Sequence, residues 1–132
     1  PAANARMRFV VSPTRVRSTD AFLYHKTTRR DLYDGEWKHY ADTLGADEVV
    51  YLNERDELAE GSRTNLFLEK DGVLLTPALA AGLLPGTLRA ELIAAGRARE
   101  ARLTLADLDA ADAIYLGNSV RGLVRAEMLP IA

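Results

Sequence analysis

The chain has 132 residues, enough for one domain around one buried core. Hydrophobic residues make up 48% and charged residues 27%, an ordinary globular composition. Lys+Arg number 17 against 19 Asp+Glu, a net charge of −2, which argues against a nucleic-acid grip or a polybasic membrane anchor. There is no cysteine, so disulfides, thiolate metal sites and cysteine nucleophiles are excluded, and a reducing, cytoplasmic setting is expected.

From the N-terminus, Pro1 to Arg6 lacks the apolar stretch of a signal peptide, and no apolar run approaches the roughly 20 residues of a membrane span. The absence of an initial methionine fits a chain processed or cut from something longer. Arg8 to Val11 reads as a short strand stopped by Ser12-Pro13. Ser18 to Tyr24 leads into the basic cluster His25-Lys26-Thr27-Thr28-Arg29-Arg30. Thr28 with Asp31 has capping-box spacing, and Leu32, Tyr33, Trp37, Tyr40, Ala41 and Leu44 form one apolar stripe, so a helix is expected over 28–44, closed by Gly45. Strands are expected at 48–53, 58–61 and 64–69, then at 73–76 across an Asp71-Gly72 hairpin turn. Leu84-Pro85-Gly86-Thr87 opens a second helix that runs to about Ala95 and is closed by Gly96. A strand over 98–103 is followed by a short helix capped by Thr104 and Asp107, and the last strands lie at 113–118 and 123–129. The expected fold class is α/β in the mixed α+β sense, one domain over 1–132, with no doubly wound parallel sheet.

The two histidines, His25 and His39, have no carboxylate at metal-ligand spacing, so no metal site is expected. No nucleophile elbow or Gly-x-x-x-x-Gly-Lys phosphate loop appears. Four segments could carry chemistry. Lys26 follows Phe22-Leu23-Tyr24 with Arg29 and Arg30 nearby; cations and partial burial lower a lysine's pKa and free its amine, whereas the plainer reading is a solvated basic helix start. Leu84-Pro85-Gly86-Thr87-Leu88 leaves helix N-terminal amides facing an anion, or simply starts a helix. Gly117-Asn118-Ser119 is a small-residue turn that could hold a phosphate, or an ordinary turn. Glu60 in Leu58-Ala59-Glu60-Gly61 could face inward with Leu58 and need a cationic partner, or sit exposed at an edge. An amine for a carbonyl, two phosphate-holding turns and a carboxylate for a ring nitrogen are together the kit for pyridoxal phosphate.

At these residues the sequence resembles the fold type IV, class IV aminotransferase group of pyridoxal-phosphate enzymes. The matching stretches are His25-Lys26-Thr27-Thr28-Arg29, Glu60-Gly61-Ser62-Arg63-Thr64-Asn65-Leu66-Phe67, Leu83 to Arg89 and Gly117 to Gly122. The His-Lys-Thr-Thr wording is most similar to the 4-amino-4-deoxychorismate lyase branch, especially the domain at the C-terminal end of fusions with aminodeoxychorismate synthase component I. The resemblance implies the larger C-terminal domain of a D-amino-acid-aminotransferase-like fold, a mixed sheet or pseudo-barrel with two main helices, whose smaller N-terminal domain is absent here. It implies pyridoxal 5'-phosphate as cofactor, with Lys26 carrying it covalently and shuttling protons and Glu60 paired with the ring nitrogen. Gly86 and the amides of Thr87 and Leu88 would hold the phosphate with Ser119 and the neighbouring Val120 amide, and Asn65 would support the turn around the cofactor. It implies a small-molecule substrate and a homodimer. The lyase branch forms 4-aminobenzoate, a folate precursor, and pyruvate; the alternatives are transamination of branched-chain or D-amino acids, or a catalytically incompetent fragment. Branched-chain aminotransferases carry a tyrosine five residues after the lysine, where this chain has Asp31, which points towards the lyase.

Overall fold

A computed structural model describes residues 6–20 and 28–131, with side chains from 29 onward in the second stretch. Eight strands, β1 (Met7–Val11), β2 (Glu48–Leu52), β3 (Leu58–Gly61), β4 (Asn65–Lys70), β5 (Val73–Pro77), β6 (Ala98–Ala101), β7 (Ala113–Asn118) and β8 (Gly122–Met128), form one mixed sheet. Its order is β3-β2-β1-β8-β7-β4-β5-β6. The helices are α1 (Thr28–Leu44), α2 (Thr87–Ala94) and α3 (Leu105–Ala110).

Parallel neighbours need a crossover long enough to return the chain, and the two main helices supply it. α1 joins β1 to its parallel partner β2, and α2 joins β5 to its parallel partner β6. Tight turns make the antiparallel pairs. Asp71 and Gly72 both have positive φ, 52° and 80°, the hairpin geometry that Asp-Gly favours. The sheet curls until its two edge regions meet, where the Leu58 N–H donates to the Leu103 carbonyl at 2.7 Å. That contact makes the sheet a half-closed barrel.

The barrel interior is apolar, with Phe9, Val50, Leu52, Leu58, Leu66, Leu68 and Leu116 in one buried cluster. Val49, Tyr51 and Val10 point to the opposite face and pack with Tyr33 and Tyr40 of α1. Phe67 alternates away from Leu66 and Leu68 to meet Leu92 of α2. Strands buried on both faces read as unbroken apolar runs, which is why Val49-Val50-Tyr51-Leu52 shows no alternation.

The expected elements are present, with shifts that have local causes. Thr28 is already helical, and the expected capping contact of its side chain with Asp31 lies outside the described residues. The α1 stripe ends early: Tyr40 is the last buried residue of the helix, and Leu44 is 38% exposed. β6 stops at Ala101 rather than 103, because its ladder with β5 ends at Pro77 paired to Ala101. Thr104 and Asp107 do form the capping box, with the Thr104 N–H donating to Asp107 Oδ2 at 2.8 Å. Two 3-10 turns, Ser18–Asp20 and Leu79–Ala81, carried no signal in the sequence reading. No helix among the described residues is long and apolar enough to cross a membrane.

Candidate active site

Glu60 is buried, 3% exposed, so the exposed-edge reading of this residue does not hold. Nor does it face the core with Leu58. In the β2–β3 ladder Tyr51 lies opposite Glu60 but Leu52 lies opposite Leu58, so Ala59 is an extra, bulged residue. The bulge leaves Leu58 in the barrel interior and turns Glu60 to the face covered by α1. There Glu60 Oε2 accepts from the Tyr33 hydroxyl at 2.9 Å and Oε1 accepts from the Leu84 N–H at 2.9 Å. The Arg29 guanidinium is the cation that a buried carboxylate requires, 3.8 Å from Oε2. Arg29 is itself buried and held by the Gly82 and Arg17 carbonyls at 2.7 and 2.6 Å. Burial raises the Glu60 carboxyl to about 7, against the lowering pull of the Leu84 amide, the Tyr33 hydroxyl and the two arginines 29 and 30. Tyr33, stacked on Tyr51 with ring centroids 4.3 Å apart, has its hydroxyl pushed above the usual phenol range, by burial first and the Glu60 charge second.

Asn65 opens β4 and clamps the Leu84-Pro85-Gly86 turn. Its Nδ2 donates to the Leu84 carbonyl at 3.0 Å and its Oδ1 accepts from the Gly86 N–H at 3.2 Å. A Cβ on Gly86 would stand 2.5 Å from that Oδ1, so the clamp leaves no room for a side chain there. Gly86 is the N-cap of α2 and makes no side-chain cap bond. Thr87 is exposed in the first turn, and Leu88 packs sideways into the α2 cluster with Phe67.

The turn after β7 meets this helix start. Gly117 lies opposite Asn65 in the β4–β7 ladder, and a Cβ on it would stand 2.9 Å from the Leu88 side chain. Asn118 organises the turn: its Oδ1 accepts from the Val120 and Arg121 amides at 3.0 and 2.8 Å, and its Nδ2 donates to the Arg63 carbonyl at 3.0 Å. Ser119 and Val120 are exposed at its tip, and the Val120 amide is taken up by Asn118.

Three of the four sequence-selected segments therefore join in one network, Glu60 to Leu84, Leu84 and Gly86 to Asn65, and Asn118 to Arg63. Lys26 lies outside the described residues; Arg29, three positions later in the chain, reaches Glu60. Sequence reasoning assigned Glu48 and Tyr33 no role in the site, placed Arg89 in the matching 83–89 stretch without a role, and took Arg29 as a cation beside Lys26, not as a partner of Glu60. Tyr33 sat unnoticed inside an apolar stripe. Arg89, buried on α2, bonds the Pro77 carbonyl at 3.0 Å and pairs with Glu100, tying the helix to β5 and β6. A cavity of about 260 Å³ lies elsewhere, with Arg55, Glu57, Leu58, Arg102 and Leu103 among its walls and none of the candidate residues.

Two features could each receive a ligand group, the Glu60 carboxylate a cationic N–H and the start of α2 an anion. Glu60 uses two of the about four acceptor positions of a carboxylate, so it can take a further N–H. The uncapped start of α2 offers amides and the positive end of the helix dipole.

The family model for class IV amino-transferases matches residues 1–128. A solved structure from Mesorhizobium loti, assigned as an amino-acid aminotransferase, is 47% identical, with a TM-score of 0.88 over 98% of this chain and 62% of its own. A Methanocaldococcus jannaschii protein assigned as a branched-chain-amino-acid aminotransferase is 31% identical over 99 residues, 71% of this chain and 33% of the relative. The aminodeoxychorismate lyase of Saccharomyces cerevisiae is 28% identical over 133 residues, 88% of this chain and 36% of the relative. The chain thus spans about a third of the length of the curated relatives it matches.

Proposed function

The chain belongs to the class IV aminotransferase family, whose enzymes use pyridoxal phosphate, and from that premise we propose that it is the cofactor-holding part of a 4-amino-4-deoxychorismate lyase. The products of the proposed reaction are 4-aminobenzoate and pyruvate. When bound, pyridoxal phosphate supplies an electron sink for the carbon that loses its proton. Glu60 carries the cofactor part of the reading: a buried carboxylate with spare acceptor capacity holds a proton on a ring nitrogen. A pyridinium beside it would in turn restore its ionisation. The Thr87 and Leu88 amides and Ser119 would hold the phosphate. The Lys26 amine would carry the cofactor, yield its place to the substrate amine, and take the ring proton as pyruvate leaves. The smaller domain expected upstream and a second copy of the chain would complete the pocket.

Asp31 is the observation favouring the lyase. It is exposed, at the position five after Lys26 where the branched-chain enzymes carry a tyrosine. The 31% identity to the assigned branched-chain aminotransferase supports the second reading, transamination, in which Lys26 moves a proton at the α-carbon of an amino acid. Adding pyridoxal phosphate to the intact protein, upstream domain included, is expected to give a visible absorption band that Lys26→Ala removes. No band in excess cofactor would sink the Lys26 assignment. With the upstream domain present, aminodeoxychorismate is expected to yield 4-aminobenzoate; formation of a 2-oxo acid from branched-chain or D-amino acids instead would select transamination.

A further inference from the structure

Glu48, the first residue of β2, is 1% exposed, and among the described residues no cation lies within ion-pair distance of it. Its charge is met by hydrogen bonds alone. The Val49 and Ser62 amides and the Ser62 hydroxyl donate to Oε1, the amides at 2.8 and 3.1 Å. The Arg63 amide and the Thr64 hydroxyl donate to Oε2 at 3.0 and 2.8 Å. An isolated buried carboxylate costs several kcal/mol, and an apolar residue of similar size fills a strand position without that cost. What an apolar residue cannot do is gather four donors from one short turn.

That turn, residues 61–64, has Glu60 at one end and Asn65 at the other. A Cβ on Gly61 would stand 2.7 Å from Glu48 Oε2 and 2.4 Å from Thr64 Oγ1, so the glycine, the serine and the threonine of this motif all answer to one carboxylate. The turn also reaches the far end of the site, because the Arg63 carbonyl accepts from Asn118, which holds the Val120 and Arg121 amides. We propose that Glu48 is a positioning residue for the cofactor. It locks the turn so that Glu60 faces the ring nitrogen, Asn65 clamps the phosphate-binding helix start, and the Asn118 turn is seated beside it. Glu48 itself touches no part of the ligand. The inference rests on the pyridoxal-phosphate reading given above.

The test titrates pyridoxal phosphate into the full chain, well below its unfolding temperature, for wild type and Glu48→Gln. Backbone amide exchange at residues 61–65 is measured in parallel without cofactor. Glu48→Gln keeps the shape but replaces an acceptor with an amide donor, so binding is expected to weaken about tenfold or more, with faster exchange at Ser62 and Arg63. Leu108→Ala, which trims the core beneath α3, is expected to lower Tm and leave affinity unchanged, separating positioning from general stability. A folded Glu48→Gln with wild-type affinity overturns the proposal. Where Glu48→Gln does not fold, Thr64→Val and Thr64→Ser decide: the valine variant should bind more weakly and the serine variant should restore binding, and equal affinity in both overturns it. If the wild-type chain takes up no pyridoxal phosphate, the cofactor reading falls. The exchange rates still judge Glu48, and unchanged protection at Ser62 and Arg63 overturns its role.

Discussion

Glu48 and Glu60 are both buried carboxylates, on neighbouring strands and twelve residues apart, yet their surroundings fit them for different work. Glu48 is saturated by five donors, four of them from one turn. Glu60 has two donors and a guanidinium at 3.8 Å, and burial holds its carboxyl near 7. A saturated carboxylate is a structural anchor with no capacity for a ligand. A carboxylate left partly satisfied in a low-dielectric site is kept short of partners, and a cationic ring nitrogen can supply the missing one.

The largest effect expected from this contrast is on turnover. Glu60→Ala should lower kcat by about a hundredfold or more with cofactor still bound, because only the partner of the developing charge is lost. Near-normal turnover, measured beside cofactor content, would remove Glu60 from the ring-nitrogen role. The next effect is on stability against pH. In the cofactor-free chain the folded Glu60 carboxyl titrates near 7, above its ordinary 4.5, so the native state holds a proton that the unfolded chain has released. The stability this contributes is fully present below about 4.5 and is lost as pH rises through about 7, a difference of roughly 3 kcal/mol. Glu60→Gln should flatten that slope, read as the difference in Tm between pH 5 and pH 8. A slope equal to wild type would mean that Glu60 is not the titrating group.

Gly61→Ala sharpens the Glu48 side. The added methyl would collide with Thr64 Oγ1 and Glu48 Oε2, and about 1–3 kcal/mol of stability should be lost on denaturant unfolding. A neutral result would show that the turn has slack. Tyr33→Phe should have the smallest effect, about 1 kcal/mol below pH 7, where the Glu60 acceptor is protonated and one neutral hydrogen bond is lost. Because that bond favours the ionised form, its loss should move the Glu60 titration upward in pH; a downward move would contradict the donor role of Tyr33.

Much of this molecule was legible in its sequence, and the illegible part has a definite character. Periodicity marked α1 over 28–44, the Asp-Gly pair marked the β4–β5 hairpin, and Thr104 with Asp107 marked the cap of α3. All three are signals confined to a few neighbouring residues. For Glu60 the sequence left burial and exposure open, and the face it turns to could not be read. That face depends on a bulge at Ala59, a property of register between two strands with no mark within Leu58-Ala59-Glu60-Gly61. Glu48 escaped for a similar reason. It opens an apolar run with nothing beside it to mark a role, and four of its five donors lie 14 to 16 residues downstream.

The sequence by itself determined the elements, the family resemblance and the segments worth watching, because helix caps, hairpin turns and contiguous motifs are written in local spacing. Only the tertiary structure decided which of these groups touch, and through which atoms. Asn65 meets Gly86 across 21 residues, Glu60 meets Leu84 across 24, and Asn118 meets Arg63 across 55. Those meetings depend on how far the sheet curls and where each ladder is registered, and no short stretch of chain encodes either.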